Sequence, residues 1–148
     1  MLLLGSLLAG HGYVPLNPRF PADRCRDMLV RAGCRTLIVD GAATDRLDSL
    51  LEAADLAVLK VQPLGGVSAC LQIAERIGLP VVVSSALETS IGIRAGLALA
   101  AALPELPYAC GLNTVALLTD DLVTDRLLAV DGVIRLRDPV IEESEIET

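Results

Sequence analysis

Lys60 is the single lysine of the chain, every other basic residue being an arginine. It closes the apolar run Leu56-Ala57-Val58-Leu59. An ammonium at the top of a buried strand is desolvated, so either its pKa falls or it meets an anion. The plainer alternative is a lysine whose stem packs while its amine reaches water. Ser84 and Ser85 stand in the same position after Val81-Val82-Val83, and Gly111 follows Tyr108-Ala109-Cys110. Two serines there could donate hydrogen bonds to a carboxylate. They could equally cap the next helix, because Glu88 lies three residues after Ser85 at capping-box spacing. Asp40, Gln62, Glu88 and Asn113 complete the polar residues at strand ends, where parallel α/β proteins keep their functional groups.

Several other chemistries are excluded. Gly65-Gly66 makes a tight turn without a G-x-G-x-x-G or P-loop pattern around it. No G-x-S-x-G elbow surrounds either serine, and with His11 as the sole histidine a hydrolase triad is not expected. Cys25, Cys34, Cys70 and Cys110 are scattered without a C-x-x-C pair, which makes a zinc site a poor fit and reduced thiols in a cytoplasmic protein the natural reading.

The elements that would carry these residues follow from periodicity. An apolar helix is expected at 2–10, ending at Gly10-His11-Gly12, and three prolines keep 13–21 extended. Pro21 opens a helix with Cys25, Met28, Leu29 and Ala32 on one face, which Gly33 ends before a strand at 36–39. A helix is expected at 45–53, a strand at 56–61, a helix at 67–77 and a strand at 81–83. Next come a helix at 90–103, a weaker strand at 108–111 and a last strand at 130–136. The strand starts at 56, 81 and 108 have the spacing of (β/α) units. The predicted fold class is α/β: a partial (β/α) barrel, or an open, mainly parallel sheet with flanking helices, incomplete as a closed barrel.

Composition narrows the partners. The chain has 148 residues, is 53% hydrophobic and carries a net charge of −7. An acidic protein with 2% aromatic residues is a poor match for nucleic acid or an anionic membrane. The apolar start of the chain lacks the basic flank of a signal peptide and is too short to span a bilayer. A closed eight-unit barrel takes roughly 200–250 residues, more than are present.

Three stretches resemble, in order and spacing, the end of the enolase-superfamily barrel, and within it the o-succinylbenzoate synthases of menaquinone biosynthesis. They are Ala54–Val67 (ADLAVLKVQPLGGV), Pro80–Ser90 (PVVVSSALETS) and Leu106–Leu112 (LPYACGL). The resemblance implies that the three strands are the sixth, seventh and eighth of the barrel. It also implies a Mg²⁺-assisted syn elimination of water from a cyclohexadiene carboxylate through an enediolate, in a superfamily whose bases are lysine or histidine beside Mg²⁺. Lys60 would match the sixth-strand lysine that steadies the enediolate, with Ser84, Ser85 and Gly111 holding the succinyl carboxylate. The family's paired-lysine motif, which moves the proton, is absent. The 59 residues before Lys60 are too few for the strands that bear the acidic ligands, so Mg²⁺ is expected to bind poorly to this chain alone and no metal ligand is assigned. Asp40, 20 residues before Lys60, falls about where the fifth strand places its last metal ligand, but a single carboxylate rarely holds Mg²⁺.

The stretch Ala9–Arg24 (AGHGYVPLNPRFPADR), with the helix and strand after it, resembles a scaffold segment of AMP-forming adenylation domains, though no phosphate loop follows. The expected organisation is thus an adenylation-like segment at 1–52, barrel units at 53–140 and an acidic tail at 141–148. The expected function is that of a truncated, fused o-succinylbenzoate synthase-like protein, inactive alone. The alternatives are a non-catalytic domain completed by self-association or a partner chain, and a ligase fragment.

Overall fold

The computed structural model describes residues 7–8, 10–17, 19–39 and 54–141. Helix α1 spans Ala22–Ala32 and buries Cys25 and Leu29. Met28 is half-buried and Ala32 exposed, so the inward stripe is narrower than the periodicity predicted. Gly33 ends the helix at φ 62°, a left-handed turn that glycine adopts without a Cβ clash. Its N–H bonds to the Val30 carbonyl at 3.1 Å, and the next N–H, of Cys34, bonds to that of Leu29 at 3.0 Å.

Three strands follow, β1 (Thr36–Val39), β2 (Leu56–Leu59) and β3 (Val81–Val83). They form a parallel sheet in that order, with Val39 opposite Leu59 and Leu59 opposite Val83. β2 lies between two neighbours, which is why its apolar run is unbroken and Ala57, Val58 and Leu59 are buried. Helix α2 (Val67–Ile77) connects β2 to β3, and helix α3 (Ser90–Ala102) follows β3. Gly65 and Gly66, both at positive φ, make the turn into α2, and Gly78 at φ 61° ends it. The core joins the sheet to these helices through Leu59, Cys70, Val83, Ile93 and Leu99. Burial pushes the Cys70 thiol up to about 11, so it stays protonated at neutral pH. Gly96 of α3 lies so close to the chain after Gly111 that a Cβ there would stand 2.6 Å from a methyl of Leu112.

The C-terminal third contains little regular structure. Two strands expected there do not form. Tyr108–Gly111 meets β3 only at the parallel bridge between Ser84 and Gly111, too short a pairing for a strand. Residues 130–136 instead make a tight turn: Val130 and Val133 exchange two 3.0 Å backbone bonds around Asp131 (φ 51°) and Gly132 (φ 78°). β2 also ends at Leu59, two residues earlier than predicted, because Val61–Gly65 turns toward α2.

Side chains hold this third in place. Thr114–Leu117 forms a 3-10 turn. Arg126 donates through Nη2 to the carbonyls of Val115 and, at 2.9 Å, Leu118. Asp121, whose side chain is 1% exposed, faces the Arg126 Nε at 3.6 Å. It also accepts from the Ser90 N–H at 3.1 Å and from its hydroxyl at 2.5 Å. The residue before α3, Thr89, makes no side-chain cap, so a carboxylate 31 residues away caps the helix instead. Arg94 pairs with Asp138 at 2.7 Å and Arg137 with Asp125 at 2.6 Å, both nearer the surface. Among the described residues no helix is long and apolar enough to cross a membrane. The expected helix at 45–53, most of that at 2–10, Asp40 and the tail from 142 lie outside the described residues.

Candidate functional site

Lys60 is the first residue after β2, and Ser84 the first after β3. Their strands are locked in register by the Ser84 N–H, which donates to the Leu59 carbonyl at 2.9 Å. From there the Lys60 ammonium reaches across to donate to the carbonyl of Ser85. Partial burial lowers the Lys60 pKa, and the charge of Glu88 opposes that shift. Glu88 is itself held, its carboxylate accepting from the Ala86 N–H at 2.8 Å.

Ser85 is 4% exposed, and its hydroxyl donates to the Gly111 carbonyl at 3.0 Å and meets the Thr114 hydroxyl at 2.8 Å. That hydroxyl is therefore engaged within the fold, and it caps nothing: α3 begins five residues later, at Ser90. The local capping-box spacing loses to a long-range bond. Ser84 is half-buried and makes only a long 3.4 Å contact with the Ser85 carbonyl, which leaves its hydroxyl able to meet a ligand. The Gly111 backbone is fully used, its N–H donating to Val83 and its carbonyl accepting from Ser85. What Gly111 contributes is room, since a Cβ there would lie 3.2 Å from the Ser84 hydroxyl.

Lys60, Ser84, Ser85 and Gly111 thus gather at one end of the sheet. A cavity of about 640 Å³ lies at the other end, lined by apolar residues such as Leu71, Val81, Leu103 and Pro104. It holds none of the four. Among the described residues no three His, Cys, Asp or Glu side chains come together in a way that could hold a metal. The described residues by themselves therefore do not make a Mg²⁺ site, and Asp40 lies outside them.

The sequence profile of the enolase C-terminal domain-like family matches residues 45–139. The chain belongs to that family. Within it, the chain is 63% identical over 95 residues to the o-succinylbenzoate synthase of Thermobifida fusca, covering 64% of this chain and 30% of the relative. It is 62% identical over 81 residues to that of Mycobacterium tuberculosis, covering 55% and 24%. The chain therefore spans about a quarter to a third of the length of these relatives. The fold agrees with the muconate cycloisomerase of Pseudomonas fluorescens at a TM-score of 0.68 and 21% identity, over 95% of this chain and 43% of that one. The dipeptide epimerase of Methylococcus capsulatus gives 0.61 and 24%, over 93% and 43%. The fold class expected from sequence is α/β, a partial (β/α) barrel or an open, mainly parallel sheet, and the likeness to part of these enzymes agrees with the partial barrel. The structural likeness reaches beyond residues 45–139 toward the N-terminus, whereas the likeness of residues 5–52 to adenylation domains finds no support among these relatives.

The roles of four contributors to the site were not legible in the sequence. Thr114 lies 29 residues from the serine it meets. Asp121 and Arg126 act on the 3-10 turn and on α3 from a stretch with no periodic pattern. Gln62, noted only as a strand-end residue, donates to the Gly92 carbonyl at 3.2 Å and ties the turn after β2 to the first turn of α3. None of these pairs has a local spacing signature.

Proposed function

We propose that the chain presents one side of an o-succinylbenzoate synthase-type site, with Lys60 as its cation, and that the 148-residue chain does not by itself catalyse the dehydration. The observation that carries the reading is the lone lysine itself, within the matched segment, half-buried and directed at the Ser85 carbonyl at the carboxyl end of a parallel sheet. An ammonium already oriented and partly stripped of water stabilises an enediolate as its charge develops, because little reorganisation is left to do. Ser84, with the space left by Gly111, would hold a carboxylate of the substrate, while Ser85 shapes that pocket through its backbone. Proton transfer in the family's manner needs a second lysine, and the chain has one.

The lyase reaction, its place in menaquinone biosynthesis and a cytoplasmic setting come with the family reading, and four free thiols suit a reducing compartment. We further read the chain as a fused, shortened relative. The family match begins at residue 45, yet β1, at 36–39, pairs with β2 as a barrel neighbour would. On this reading the N-terminal piece stands in for a barrel strand. Assay of the purified chain with Mg²⁺ and the cyclohexadiene carboxylate should give no turnover. Turnover that Lys60→Ala abolishes would overturn the inactivity. With ¹³C-labelled lysine, succinate should shift the Lys60 signal, and Ser84→Ala should weaken that binding by about tenfold, as expected for one hydrogen bond to a charged group. A Lys60 signal indifferent to succinate would sink the site.

A second reading, association through the α1–β1 side, is favoured by Val30 and Ile38, which are 65% and 43% exposed. Light scattering at micromolar concentration should then give a mass above 15.5 kDa, and a strict monomer would remove this reading.

A further inference from the structure

We propose that Arg126 is a positioning residue for Lys60, acting through the 3-10 turn at Thr114–Leu117. The connection can be followed atom by atom. Arg126 Nη2 donates to the carbonyls of Val115, within that turn, and of Leu118, which follows it. Two acceptors on one planar guanidinium fix the turn's orientation, which a single ammonium on a flexible stem does not do. The turn begins with Thr114, whose hydroxyl lies 2.8 Å from that of Ser85. Ser85 is held at the same time by the Gly111 carbonyl, and its own carbonyl receives the Lys60 ammonium.

Arg126 is itself constrained. Its Nε is buried and finds no hydrogen-bond acceptor, while the carboxylate of Asp121 stands 3.6 Å away. Charge attraction without a directed bond holds the base of the side chain, so its directed bonds are those of Nη2 to the turn. Asp121 has a second duty at the start of α3, which makes it unsuitable for separating orientation from stability. Arg126 and Thr114 do not share that duty. The relay concerns the direction of Lys60 in the free chain and stands or falls apart from the proposed reaction.

Because Lys60 is the only lysine, ¹³C-lysine labelling gives one side-chain signal to titrate. Its midpoint in the native chain should lie below the ordinary lysine value, and Glu88, the charged group opposite it, is left intact in every variant. Thr114→Val removes one hydroxyl at nearly constant volume. It should free Ser85, admit water around the ammonium and move the midpoint up toward the ordinary value; Thr114→Ser should restore it. Arg126→Met should move the midpoint the same way, and Arg126→Lys should not rescue it. Ile77→Val, a core change on α2, should lower the melting temperature and leave the Lys60 titration alone. A Thr114→Val chain with an unmoved midpoint and ¹³Cε shift would overturn the relay, and that variant decides alone if Arg126→Met does not fold. If Arg126→Met folds and titrates as the native chain does, Arg126 has no positioning role.

Discussion

Replacing Asp121 with alanine should lower the unfolding free energy by about 3 kcal/mol, the cost typical of removing one partner of a buried ion pair. The carboxylate is 1% exposed and serves four groups: the Ser90 N–H, the Ser90 hydroxyl, the Leu122 N–H and Arg126. Its removal strips the cap from α3, leaves fully buried Ser90 short of an acceptor and leaves Arg126 facing no countercharge. Ser90 also receives the Leu127 N–H at 2.8 Å, so the loss spreads to the segment that Leu127 anchors in the core. Asp121→Asn keeps an acceptor for the N–H but not the charge, and should cost less than alanine. Urea unfolding with an unchanged slope measures both. A loss below about 1 kcal/mol for Asp121→Ala would reduce the network to an ordinary surface contact.

The second large effect belongs to Gly96. Glycine in mid-helix costs about 1 kcal/mol relative to alanine, so its presence in α3 needs a reason. The reason is the Leu112 methyl, 2.6 Å from where a Cβ would stand, in a core where Leu112 is only 4% exposed. Gly96→Val should destabilise by about 1–3 kcal/mol through overpacking. Leu112→Ala should cost about 2–5 kcal/mol as a cavity. The double variant should be less destabilised than the sum by about 1 kcal/mol or more, because the valine fills the space that leucine vacates. Strict additivity would mean that the helix and the Gly111–Leu112 stretch are not in contact in solution.

The elements that punctuation residues delimit were legible in the sequence. Gly65-Gly66 and Gly78-Leu79-Pro80 fix the ends of α2, and Pro104 stops α3 close to where it was expected. The three short, mainly apolar strands were equally plain. What failed was whatever depends on a distant neighbour. Tyr108–Gly111 has strand-like residues but finds β3 at one position only. Asp131-Gly132 is a strong hairpin-turn pair and makes a turn where a strand is expected at 130–136. In the site, Lys60 could be singled out because an isolated ammonium at the end of an apolar run has few reasons to be there. The commitment of the Ser85 hydroxyl could not, since its partners are Gly111 and Thr114, 26 and 29 residues away.

The exposed pairs Arg94–Asp138 and Arg137–Asp125 carry a further consequence. They tie down a segment with almost no backbone ladder, and Asp138 and Asp125 are 86% and 70% exposed. Dissolved ions weaken such attachments directly, whereas the sheet and its helices depend on apolar contacts that salt leaves intact or strengthens. The molecule thus has two kinds of fastening with opposite responses to brine: concentrated salt loosens the wrapping of its last third while tightening what is wrapped.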